Sequence, residues 1–127
     1  MAGIRMYEDQ LRIMTPHTFN ALQKLVMAMA DVSKNLGKTT FFGRDKGQES
    51  YSQFLHALKV TLQSMVLDKI VNEATPAEDV LAALEDKLGM FSEAFPNWQD
   101  AYKFAGTFIY ENRESALATV ERLRSIP

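Results

Sequence analysis

Lys34, Lys38, Arg44 and Lys46 fall in one short stretch, and only Asp45 opposes them, so the stretch carries a local charge of +3. Phe41 and Phe42 sit among them. Basic side chains neutralise phosphates and aromatic rings stack on bases, so this pattern nominates Lys34, Lys38, Arg44 and Lys46 as a phosphate or nucleic-acid contact. The same stretch contains Gly37-Lys38-Thr39, the closing letters of a nucleotide-binding phosphate loop. That loop needs another glycine five residues before Gly37, where this chain has Val32, and it needs a strand before it and a helix after it. Here a helical pattern leads into Gly37, and glycine is the usual residue at a left-handed helix end. A nucleotide loop is therefore set aside. The competing reading of the basic stretch is a solvated loop anchored by its two phenylalanines, and the acidity of the whole chain favours it.

The remaining candidate chemistry is sparse. His17 and His56 are the two histidines, and neither stands in a His-x-x-x-His or Glu-x-x-His pair. His56 shares a helix side with Val60 and Leu67, which predicts a half-buried imidazole. With Tyr51 and Trp98 it nominates a small-ligand pocket between helices, Tyr51, His56 and Trp98 being its lining. Acidic pairs stand at Glu78-Asp79 and Glu85-Asp86, with Glu93 further on. Paired carboxylates serve acid–base chemistry only when one is desolvated, and these fall on the polar side of a helix. No catalytic residue, metal set or cofactor site is expected from these patterns. Cysteine is absent, which removes disulfides and thiolate chemistry.

The elements that position these residues read as helices throughout. Thr15-Pro16 and Thr75-Pro76 each precede a long run of apolar residues at helical spacing. Threonine accepts the amide hydrogen bonds left open at a helix start, and proline fits the first helical position because its missing N–H has no partner there. From Pro16 to Leu36 the apolar stripe is Phe19, Leu22, Leu25, Val26, Met29, Val32 and Leu36. A third helix is expected from Ser50 to Glu73, with Tyr51, Phe54, Leu55, Leu58, Leu62, Met65 and Val66 on one face. Val60, Leu67 and Val71 on the other face mark it as the central helix, covered on two sides. A fourth starts at Thr75, with Glu78 completing a capping box, and ends before Pro96. Asn97 is the expected cap of the last helical stretch, within which residues 111–113 read as either a break or a bend. Ile4, Tyr7, Leu11 and Met14 form the stripe of a short amino-terminal helix over residues 4–14 that must dock on this domain or on a neighbouring subunit. The expected fold is an all-α, single-domain bundle of four to five main helices spanning residues 1–127, with that short helix laid across it.

Composition narrows the function classes. Residues 1–72 carry nine Lys or Arg against six Asp or Glu, whereas residues 73–127 carry five against ten. The two halves attract each other within one bundle, or they form a bipolar surface that orients a second molecule. Charged residues follow the amino terminus too closely for a secretory signal, and no apolar run approaches the ~20 residues of a membrane span, so a soluble cytoplasmic protein is expected. Among the seven methionines, Met27 and Met90 fall off their helical stripes, where methionine marks adaptable contact surface. The leading expectation is a non-catalytic protein-interaction or regulatory module that self-associates as a homodimer. Phosphate or nucleic-acid binding through the 34–46 loop and small-ligand binding or catalysis near His56 are the alternatives.

Overall fold

The computed structural model describes residues 15–35 and 46–126. It is all-helical, with no strand among the described residues. The helices are α1 (Pro16–Asn35), α2 (Lys46–Leu67), α3 (Ala77–Ala94), α4 (Gln99–Gly106) and α5 (Arg113–Ser125), with a π-helical turn (Thr107–Glu111) between the last two. The expected short helix over residues 4–14, and most of the basic loop, lie outside the described residues.

The apolar spacing of α1 sets the architecture. Phe19, Leu22, Leu25, Val26, Met29 and Val32 are all buried, as their recurrence every three or four positions requires. α1 packs along both α2 and α4, and Phe19 reaches Phe91 and Phe95 at the end of α3, with ring centroids 6.1 Å apart in each case. The central helix is therefore α1 rather than the one expected over 50–73. α2 buries Phe54, Leu58, Leu62 and Met65 on a single face. Its other apolar side, expected to be covered, leaves Leu67 and His56 exposed and Val60 half-buried. Three hydroxyl residues are buried on α2: Thr61 donates to the Ala57 carbonyl and Ser64 to that of Val60, both at 2.8 Å, and Ser50 accepts from the Asn35 side-chain amide at 2.9 Å. α3 and α5 pack on each other through Val80, Leu81, Leu84, Ala116, Val120 and Leu123, joining one continuous core.

The helix ends depart from expectation in instructive ways. α2 begins at Lys46, four residues before the expected Ser50, and stops at Leu67, well before Glu73. The stop comes from Lys69, whose φ of 61° is left-handed and turns the chain back, with the Ile70 amide bonding the Met65 carbonyl at 2.9 Å. Thr75 does not cap α3: its hydroxyl accepts the Asn72 amide at 2.9 Å and so closes the preceding turn, while Pro76 holds the N-cap position with no side-chain cap bond. Phe95, extended ahead of Pro96, ends α3 as proline demands. Trp98, not Asn97, holds the N-cap position of α4. The stretch around residues 111–113 is a true break, because the π turn gives way at Asn112, with φ −125° and ψ 46°, before α5 begins. The π turn carries the adjacent Phe108 and Ile109, both buried in the core.

Leu58 is 1% exposed and lies in the α1–α2 core. Leu58→Ala is expected to lower unfolding free energy by about 2–5 kcal/mol, measured by denaturant titration; a loss below about 0.5 kcal/mol would place Leu58 outside a well-packed interior.

Candidate functional site

The nominated basic residues divide between described and undescribed chain. Lys34 is exposed in the last turn of α1, and Lys46 is the first residue of α2. Lys38 and Arg44 lie outside the described residues, so the geometry of that set is not defined by the fold.

No groove described below is lined by more than one of Tyr51, His56 and Trp98. Tyr51 packs its ring 5.6 Å from Phe54, which in turn meets Phe104 and Phe108 edge-on at 5.1 Å. His56 is exposed rather than half-buried, at the rim of a shallow groove of about 340 Å³ along the α1–α2 seam. Trp98 lines a second groove, of about 570 Å³, with Phe91 and Phe95. Two residues line both grooves: Lys24 and Met27, on the exposed side of α1, stand as a ridge between them. The spacing of Met27 from the core residues explains its placement, since Val26 and Met29 already occupy the buried arc and residue 27 projects away from it.

A third and larger cleft, of about 880 Å³, opens where the end of α2 meets the start of α3 and the end of α5. Leu62, Val80 and Leu123 form its floor, and Val66, Leu67 and Ile126 stand exposed at its lip. Arg124 shapes one wall by donating to three carbonyls of the turn opposite, those of Asn72 (3.2 Å), Glu73 (2.8 Å) and Thr75 (2.6 Å). The acidic residues Glu78, Asp79, Asp86 and Glu93 are exposed, as a solvated ridge would be. Glu85 is different: it accepts a hydrogen bond from Arg113 at 3.1 Å, and hydrogen bonding to its carboxylate raises the Tyr110 phenol above its ordinary value. Tyr102 is pushed up to about 12 by burial, and its hydroxyl donates to the Phe95 carbonyl.

One polar pair was not foreseen in the sequence. Asp68, just beyond the end of α2, turns its carboxylate onto the start of α1, where its side chain is 2% exposed. It accepts the Thr18 amide at 2.7 Å, the His17 amide at 3.4 Å and the His17 Nδ1 at 2.7 Å. These amides are among the four a helix start leaves open, so Asp68 serves α1 as a cap supplied from another helix. Burial pushes its carboxyl upward, but the Thr18 amide and the His17 imidazole outweigh that and hold it below the ordinary carboxylate value. No short-range signal marks this role; it depends on the left-handed Lys69 that ends α2. The arrangement leaves His17 Nε2 outward on a 58% exposed side chain, which makes the pair a clamp between helices. Among the described residues, no group of three His, Asp or Glu is placed to hold a metal ion, and no helix is long and apolar enough to cross a membrane.

A group whose folded pKa is depressed stabilises the fold above its unfolded value and stops doing so as pH falls through the folded one. Asp68→Ala is therefore expected to lose about 0.5–2 kcal/mol of stability at neutral pH, and the gap from the parent should close as the pH is lowered through and below the ordinary aspartate value of 3.8. Urea titrations of both proteins across that range test this; a gap that stays constant into acid would show that the carboxylate charge is not what holds α1.

No protein family, no curated protein and no solved structure matches this chain.

Proposed function

We propose that the protein is a non-catalytic helical interaction module that works by self-association. The observation that carries this reading is the exposed Met27. It is 55% exposed at the middle of α1, between two grooves, with Trp98 38% exposed on the wall of one of them. Methionine and tryptophan are enriched where proteins bind each other, and tryptophan is prominent among the residues that dominate binding energy. An unbranched thioether also adapts to an opposing surface at small packing cost. α1 is regular and well filled on its core side, so Met27 contributes nothing visible to the interior, and a contact made outside the chain gives it a role. Sedimentation equilibrium over a dilution series is expected to show a dimer at high concentration that falls toward the monomer on dilution. A monomer at every concentration would remove the reading.

A second reading is favoured by the cleft at the end of α2. Its volume of about 880 Å³ lies within the range of small-molecule sites, and its apolar floor with one charged wall suits an apolar ligand carrying a polar end. Anilinonaphthalene sulfonate is expected to gain fluorescence with the parent protein and to lose that gain with Leu67→Asp, whose side chain is 63% exposed at the lip and so tolerates the change. A parent that leaves the dye dark would end this reading.

A further inference from the structure

We propose that the exposed face of α1, with the adjoining edge of α2, is a two-fold docking surface on which a second copy of this chain pairs antiparallel, the two Met27 side chains packing against each other beside the axis and each Lys24 meeting the partner's Asp31. This rests on the self-association reading and adds to it a face, a direction and a register.

Asn20, Lys24, Met27 and Asp31 recur at intervals of four, three and four along the exposed side of α1. That spacing makes them one continuous row. Lys24 and Asp31 carry opposite charges on either side of Met27, and no ion pair among the described residues uses either of them. A two-fold axis passing between positions 27 and 28 relates an antiparallel second α1 to the first. Position 24 then faces the partner's Asp31, position 31 faces the partner's Lys24, and position 27 faces the partner's Ala28. At 1.5 Å per residue each charge stands about 5 Å along the helix from the axis, so both ion pairs form at once. A parallel arrangement would instead set Lys24 against the partner's Lys24 and Asp31 against the partner's Asp31. The charge order thus selects direction by repulsion as well as attraction.

The same axis sets position 27 level with the partner's Ala28 and beside the partner's Met27, so the two exposed methionines form an apolar centre flanked by the two Lys24–Asp31 pairs, with Gln53 and His56 of α2 at the rim. An apolar centre ringed by polar and charged groups is the ordinary anatomy of a protein interface. The lip of the larger cleft, Val66, Leu67 and Ile126, has no comparable pairing of charge with charge.

The experiment is a charge reversal followed by sedimentation equilibrium on the whole chain. Lys24→Asp alone and Asp31→Lys alone each place like charges across the axis twice, and each is expected to weaken the dimer at least about tenfold. The double variant K24D/D31K restores opposite charges and is expected to recover most of the parent affinity. Positions 24 and 31 are two turns apart on one helix, so their recovery reports contact between copies. Arg122→Glu, exposed on α5, changes net charge as much as Lys24→Asp and should leave the dimer intact. All these positions are exposed, and thermal melts confirm folding of each variant. A parent that is monomeric overturns this proposal together with the reading it rests on. A parent dimer indifferent to both single reversals overturns the face alone, and singles that weaken without rescue by the double overturn the register.

Discussion

The structure depends on how α1 divides its circumference. Nine of its twenty residues are buried, more than any other helix commits, and they serve α2 and α4 along its length and α3 through Phe19. A helix that meets neighbours on so wide an arc cannot slide or turn against any one of them without opening the others, because close-packed side chains admit few alternative registers. The strip that remains is fixed just as firmly. Met27 and its charged flanks are therefore presented by a rigid element, which keeps the entropy cost of ordering a contact surface low.

Both ends of that arrangement are held by polar groups that act across helices. Asp68 fastens the start of α1 to the end of α2. Arg124 fastens the turn after α2 to the end of α5 through three carbonyls. In each case a charged side chain satisfies backbone groups that helix ends or turns leave unpaired, and a charge-assisted bond of that kind is stronger than its neutral counterpart. The two clamps flank residues 69–75, so a turn with no glycine or proline before Pro76 is nevertheless defined. Arg124 also shapes the cleft of about 880 Å³, whose lip is formed where α2 stops at Leu67.

What was legible in the sequence was local and periodic. The core stripe of α1 read directly, because Phe19, Leu22, Leu25, Val26, Met29 and Val32 all find the interior, Leu36 lying outside the described residues, and Pro96 ended α3 by a steric rule that needs no tertiary context. The end of α2 was not legible. Its apolar residues continue in helical phase through Val71, and only the left-handed Lys69, a conformation lysine does not advertise, breaks the run. That misplaced end made Asp68 look like a residue within a helix instead of a cap on another, whereas His56 was read as half-buried because its side neighbours Val60 and Leu67 were expected to be covered and are not. Thr75 shows the same limit from the opposite side, since its hydroxyl had two competing uses and the turn at Asn72 took it.

The off-stripe methionine was legible as an anomaly, and the structure gives the anomaly a geometry. Periodicity tells which residues a helix hides, but it is silent on whether those it shows are arranged with respect to one another. Arrangement appears only when the neighbouring helix is in place. Ala57 and Val60 of α2 lie beside Ala21 and Ala28 of α1, and together they make a hollow that neither helix has alone. Lys24 stands three residues before the methionine and Asp31 four after it, so opposite charges lie evenly about a point between positions 27 and 28. The proposed pairing uses that order, because every feature placed on one side of a two-fold axis must find its complement on the other.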